Sequence, residues 1–420
     1  MAQKTQMPAK QFLIIGNGVA AAACIEGIRS TDNTADITVL SAEKHPVYCR
    51  PLISYYLQKK TPLQNMGYRP ADFYQTHNCT VRYGVCATSI DAAKKTVTLS
   101  DNKSLSFDAL CVATGSSPFI PAVDGYQSVQ CKFTFMTLDD ALSIEQAITQ
   151  NSRVLIVGAG LIGLKCAEGL YGRVQSITVC DLAERVLSSV LDAEAAAIVQ
   201  AHLKEKGILF HLGDTVEHFE GNRAVLRSGT HIHFDVLVMA VGVRANTALV
   251  RDAGGNCGRG IRIDACGRTS LENVYAAGDC TESIDISDGT EKVMALLPNA
   301  YQQGFCAGVN MAKGTAVFDC AIPMNSIGFF GLHTMSAGCR TQEYECYAVH
   351  DKNTLKKLYM RENRLIGFEL VGATEHAGIY TDLIRKKTSL DSLDFESLKK
   401  YANFSAFDAN YRRNCLGSVV

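Results

Sequence analysis

Two stretches of this chain are versions of one another, and they constrain its fold more than any other feature. Phe12–Ser30 reads FLIIGNGVAAAACIEGIRS, and Val154–Gly172 reads VLIVGAGLIGLKCAEGLYG. In each, an aliphatic run ends in G-x-G-x-x-G/A and passes into a helix-compatible stretch. Such a run reads as a buried parallel strand. Gly16 and Gly158 permit the tight turn. Gly18 and Gly160 let a pyrophosphate approach the backbone. Ala21 and Gly163 let the helix pack closely on the strand. The pyrophosphate then meets free N–H groups at the positive end of a helix. The expectation is an α/β chain with two Rossmann-like dinucleotide folds.

A second strand follows each motif and ends near an acid. DITVLSAE, Asp36 to Glu43, offers Glu43 to a ribose hydroxyl. SITVCD, Ser176 to Asp181, offers Asp181. An acid at this point favours an unphosphorylated adenosine ribose, so the second site is expected to take NAD(H) rather than NADP. Arg185 nearby argues the other way.

The rest of the chain fits around the repeat. Ala109–Pro121 (ALCVATGSSPFIP) is a strand running into a turn, and Asp235–Asn246 (DVLVMAVGVRAN) is its counterpart after the second motif. Asn273–Cys280 is another short strand ending in Gly-Asp. Asp140–Gln150 and Asp192–Lys206 read as helices. From about Ile322 short strands alternate with turns, and a helix follows near Tyr380–Lys387. The first ten residues are expected to be a loose tail.

Composition removes other classes. With 420 residues, 47% hydrophobic and 20% charged, the chain is globular rather than disordered. A net charge of −1 gives no basic field for nucleic acid. The most apolar stretch, Phe12–Ile25, is interrupted by Gly16, Asn17 and Gly18, so no membrane span is expected. The polar start, MAQKTQMPAK, has no apolar signal core, which points to the cytoplasm. The 16 cysteines are scattered with no C-x-x-C pair, and read as mostly buried thiols rather than as zinc, thioredoxin-type or ferredoxin-type ligands.

The motifs GNGVAA (Gly16 to Ala21), VATG (Val112 to Gly115), GAGLIG (Gly158 to Gly163), AVGVRAN (Ala240 to Asn246) and VYAAGDC (Val274 to Cys280) occur in the order and spacing of the pyridine nucleotide-disulfide oxidoreductases. The chain resembles that family over nearly its whole length. The resemblance implies FAD on the first repeat and NAD(H) on the second. It implies a discontinuous FAD domain of residues 1–119 and 247–320, an NAD(H) domain of 120–246 and a C-terminal α+β interface domain of 321–420. It also implies cofactor contacts from Gly16, Gly18, Ala20, Ala21, Ala113, Thr114, Gly115, Gly278 and Asp279 on the flavin side. On the nicotinamide side it implies Gly158, Gly160, Leu161, Ile162, Gly163, Asp181 and Gly242. Asp279 would bind the ribityl chain, as a carboxylate at a strand end can accept a sugar hydroxyl.

The redox cysteine pairs of glutathione- and thioredoxin-reductase relatives are missing. Instead Tyr48–Ser54 reads YCRPLIS, which resembles the rubredoxin reductases, bacterial ferredoxin reductases and the flavin part of NADH nitrite reductases. In that group the segment lines the flavin, which would put Arg50 and Pro51 beside it. Arg50 could favour a reduced, anionic flavin, or simply pair a carboxylate. Cys49 is a candidate redox thiol of the kind used by NADH oxidases, peroxidases and coenzyme A disulfide reductases, although Arg50 and Pro51 stand where those carry glycine. Lys165 replaces a glutamate common among relatives; it could pair with Glu168 or meet the nicotinamide side, and a packing role is expected.

The expected function is electron transfer between NADH and an external iron–sulfur carrier: rubredoxin, ferredoxin or a partner subunit. The chain would act alone, as a homodimer or in a hetero-complex. Three alternatives stay open: an oxidase, peroxidase or coenzyme A disulfide reductase-like enzyme using Cys49, a flavin subunit feeding a separate nitrite-reducing protein, and a redox-regulated FAD-binding interaction protein.

Overall fold

A computed structural model describes residues 9–341 and 343–416. Most of the expected N-terminal tail lies outside the described residues. The first repeat builds a five-stranded sheet whose spatial order is Val274–Ala276, Ala109–Val112, Gln11–Ile15, Asp36–Ser41 and Cys79–Tyr83, all parallel. The second builds its copy in the order Leu209–Leu212, Ser176–Asp181, Arg153–Val157, Val236–Met239 and Lys132–Phe133, also all parallel. This is the α/β class expected. In each, the glycine-motif strand has a neighbour on both sides, which explains its continuous apolar run. Ile14 and Ile156 are fully buried, each stabilising its fold by roughly 2 kcal/mol.

Two antiparallel additions were not foreseen. Ala87–Asp91, Thr96–Leu99 and Ser104–Ser106 form one three-stranded sheet, and Val216–Glu220, Arg223–Leu226 and His231–His233 form another. Each occupies the same place in its repeat, so the repeat extends beyond the glycine motif.

The helix after the first motif, Val19–Thr31, packs against a later one, Leu297–Met311. A Cβ on Gly304 would lie 2.1 Å from the Ala20 carbonyl oxygen, and one on Gly308 would lie 2.1 Å from that of Cys24. Only glycine permits backbones this close. The two crossings between the folds are themselves paired, Ser116–Pro118 running antiparallel to Val243–Ala245. The C-terminal part is a five-stranded antiparallel sheet, Met324–Phe329, Leu332–Gly338, Arg364–Val371, Thr354–Arg361 and Glu345–Asp351 in spatial order, with the helix Ala377–Arg385 against it.

Lys165 joins this sheet to the second fold. Its ammonium pairs with Glu168 and donates to the Gly328 carbonyl at 3.2 Å. Glu168 in turn accepts the Phe330 N–H at 2.7 Å. The lysine therefore serves packing and pairing, as expected.

Candidate functional site

A cavity of about 370 Å³ opens where the first glycine turn meets the ends of its neighbouring strands. Of the residues expected on the flavin side, Gly16, Gly18, Ala20, Glu43, Arg50, Ala113, Thr114, Gly115, Gly278 and Asp279 all line it. Ala21 is fully buried beneath the wall. Pro51 and Cys49 are not on the wall; Pro51 is exposed and precedes the short helix Leu52–Leu57. Tyr48, which opens the segment expected to line the flavin, is on it; so are Asn17, His45, Ser116, Met136 and Asn246, which were not singled out as contacts.

The glycine turn shows why its residue types are needed. Gly16 has φ +113°, and a Cβ there would sit 2.0 Å from the Ala113 carbonyl oxygen. Gly18 is the reverse: a Cβ would meet nothing within 4 Å. The helix Val19–Thr31 begins at Gly18 with no side-chain cap. Its first N–H groups therefore need an outside acceptor. The second turn repeats the pattern. Gly158 has φ +120° and lies against the Ala240 carbonyl, Gly160 faces open space, and the helix Leu161–Leu170 starts there without a side-chain cap. Open backbone at an uncapped helix start fits a pyrophosphate, so both turns fit a dinucleotide.

Asp181 ends its strand beside the second turn. Its carboxylate accepts the Ala159 N–H at 2.6 Å and the Ala183 N–H at 2.8 Å. Leu161 and Ile162 open the helix, partly buried, with Gly163 buried behind them. Gly242 is exposed at φ +122° and accepts the Phe119 N–H at 2.9 Å.

Charge in the first cavity is arranged around Arg50. Its guanidinium pairs with Glu43 and donates to the Tyr48 hydroxyl and the Met136 carbonyl, both at 3.1 Å. Tyr48 also donates to Glu43 at 2.7 Å. Burial pushes the Asp279 carboxyl up, and the positive field of Arg50 partly opposes this. The Arg50 guanidinium stays charged because Tyr48, Glu43 and Asp279 outweigh its burial. Glu43 thus lines the cavity with both oxygens already engaged.

Cys49 is different. Its N–H bonds to the Met66 carbonyl at 2.8 Å, and burial pushes its thiol up. Arg50 contributes no charge that lowers it. The thiol on the cavity wall is Cys86. It sits at the Ser41 end, where the Val85 N–H bonds to Ser41 at 2.9 Å.

The pyridine nucleotide-disulphide oxidoreductase family matches residues 10–304. The chain belongs to that family. It is an oxidoreductase, and its cofactors are FAD and NAD(H). It is 30% identical over 394 residues to the NADH-dependent phenylglyoxylate dehydrogenase subunit epsilon of Aromatoleum evansii, which covers 91% of this chain and 93% of that subunit. It is 29% identical over 394 residues to the NAD(P)H nitrite reductase of Bacillus subtilis strain 168. That match takes in 91% of this chain and 48% of the nitrite reductase, so the chain spans about half of that protein's length. The solved structure of a NAD-dependent persulfide reductase from A. fulgidus superposes with a TM-score of 0.83 at 28% identity, over 92% of this chain and 78% of that one. Among the described residues no helix is long and apolar enough to cross a membrane, and no group of three or more His, Cys, Asp or Glu side chains is placed to hold a metal.

Proposed function

We propose that this chain moves electrons from NADH, through FAD, to an iron–sulfur centre on another polypeptide: rubredoxin, ferredoxin or a partner subunit. In this reading residues 1–119 with 247–320 hold FAD, residues 120–246 hold NAD(H), and residues 321–420 form the interface domain. The chain works in the cytoplasm. The observation that carries the proposal is the position of Arg50. It brings a fixed positive charge into the first cavity opposite Asp279, while Cys49 stays off the wall with a thiol that burial disfavours as thiolate. A thiolate is the reactive form of cysteine, so the site favours electron transfer over cysteine chemistry. Two relatives agree with a delivering role. One is a subunit of an NADH-dependent dehydrogenase, and the other is a reductase of about twice this chain's span.

FAD, when bound, supplies the hydride-accepting and electron-releasing chemistry. The chain's own residues supply geometry and field. The uncapped amides after Gly18 take the pyrophosphate, Asp279 accepts a hydroxyl of the sugar chain, and Ala20 and Ala113 keep the wall apolar. Asp181 fixes the second turn and offers its remaining lone pairs to the adenosine ribose of NADH.

The test is anaerobic stopped-flow on the flavin-loaded protein, with NADH and NADPH mixed separately and candidate carriers added afterwards. Fast bleaching by NADH and rapid recovery with rubredoxin or ferredoxin is the expected result. Recovery with oxygen or peroxide alone would replace the proposal with an oxidase or peroxidase.

A further inference from the structure

The hydroxyl of Tyr48 is a junction. The residue is buried, at 8% exposure, and the oxygen has every hydrogen-bonding position filled. It donates to Glu43 Oε2 at 2.7 Å. It accepts from Arg50 Nη1 at 3.1 Å and from the backbone N–H of Leu138 at 2.9 Å. A phenol has one proton and two lone pairs, so nothing is left over. Glu43 and Arg50 belong to the cavity wall. Leu138 is the first residue of the helix Leu138–Ala147, which leads into the second glycine-motif strand.

The helix start explains the third bond. First-turn N–H groups have no acceptor within their own helix. Thr137 and Asp140 form a capping box, each bonding the other's N–H. The Leu138 N–H goes to Tyr48. The ring belongs to the second fold's core, in one cluster with Leu138, Ala141 and Ile156, although it is carried by a segment of the first fold. Arg50 repeats the link by donating to the Met136 carbonyl at 3.1 Å.

We infer that Tyr48 is a positioning residue whose hydroxyl fixes the charge of Arg50 in the cofactor cavity against the start of the second dinucleotide fold. The inference rests on the FAD site proposed for that cavity. Without the hydroxyl, Glu43 loses a donor and the Leu138 N–H is left buried without a partner. The guanidinium then keeps Glu43 and Met136 but loses the fixed point between them. Its field at the cofactor weakens as it moves away.

Tyr48→Phe keeps the ring and deletes the oxygen. The measurements are spectroelectrochemical titration of the FAD-loaded protein and the affinity of the apoprotein for FAD. The expected result is a more negative flavin potential and about tenfold weaker FAD binding. Arg50→Lys moves both in the same direction, and the double variant moves them no further than the larger single effect, because both act through one charge.

A Tyr48→Phe protein that melts earlier yet keeps the parent potential and FAD affinity would overturn the inference, leaving a structural tyrosine. Additive shifts for Tyr48→Phe and Arg50→Lys would do the same. Failure of the unsubstituted chain to bind FAD is a separate result, and it would remove the cavity assignment itself.

Discussion

The Asp181 carboxylate holds the backbone N–H of Ala159 at 2.6 Å, so the acid that ends one strand also shapes the glycine turn at the end of its neighbour. Asp181→Ala removes that brace together with the acceptor proposed for the ribose. NADH affinity is expected to fall about tenfold, equivalent to roughly 1.4 kcal/mol, with NADPH much less affected. Paired KM values for NADH and NADPH check this. An unchanged ratio would remove Asp181 from nucleotide selection.

Gly16 and Gly18 are expected to fail differently. Gly16→Ala drives a methyl into the Ala113 carbonyl at a φ that alanine avoids. The apoprotein should lose about 3 kcal/mol or more. Gly18→Ala places its methyl in open space, so the apoprotein should melt near the parent temperature while FAD binding is lost. Thermal melting of both apoproteins, followed by flavin titration, separates the two.

Cys49→Ser should keep NADH turnover with an artificial one-electron acceptor within about twofold, since burial holds the thiol up and it lies off the cavity wall. Site-resolved alkylation followed by mass spectrometry should find Cys49 slow at pH 7 and faster as pH rises. Loss of peroxide reduction in Cys49→Ser, with turnover of the artificial acceptor retained, would revive the cysteine mechanism.

Glu168 accepts from Lys165 and from the Phe330 N–H, and is 7% exposed. Glu168→Ala leaves the half-buried Lys165 ammonium with the Gly328 carbonyl but no counter-charge, and the Phe330 N–H without its acceptor. It should destabilise the protein by about 3 kcal/mol, measured by denaturant unfolding. Lys165→Met should also destabilise, because it leaves the buried Glu168 carboxylate without its counter-charge.

The Asp235 carboxylate is held down to about 2 by its hydrogen bonds with Arg153. A carboxyl lowered on folding adds stability above its unfolded value near 4, and that stability is lost as pH falls toward 2. Both side chains are over two-fifths exposed, so solvent screening keeps the contribution below about 1 kcal/mol. Melting temperatures of the parent and Asp235→Asn should therefore differ slightly at pH 7 and converge at acid pH.

Much of the fold was legible because its signals are local. A strand buried on both faces must be a continuous apolar run, and a turn with positive φ must hold glycine, so both dinucleotide folds and the Gly-Asp turn could be found by reading along the chain. Lys165 could be paired with Glu168 by helical spacing alone. The helix expected at Asp140–Gln150 starts earlier, at Leu138, because Thr137 and Asp140 cap it. The antiparallel sheets at Ala87–Ser106 and Val216–His233 were missed; their strands are short and only partly buried, and so carry a weak periodic signal.

The sequence by itself determined the two cofactor folds, their order and their kinship with known oxidoreductases. Those follow from glycine geometry and from apolar patterning within about thirty residues of each turn. Only the tertiary structure decided what surrounds the cofactor. Asn246 and Thr114, 132 positions apart, tie the two crossings together, and Tyr48 reaches Leu138 across 90 positions. Tertiary structure likewise turned Arg50 into the cavity and left Cys49 outside it. No local pattern encodes such partners, because a hydroxyl or guanidinium satisfies its hydrogen bonds with whatever the folded chain brings within 3 Å.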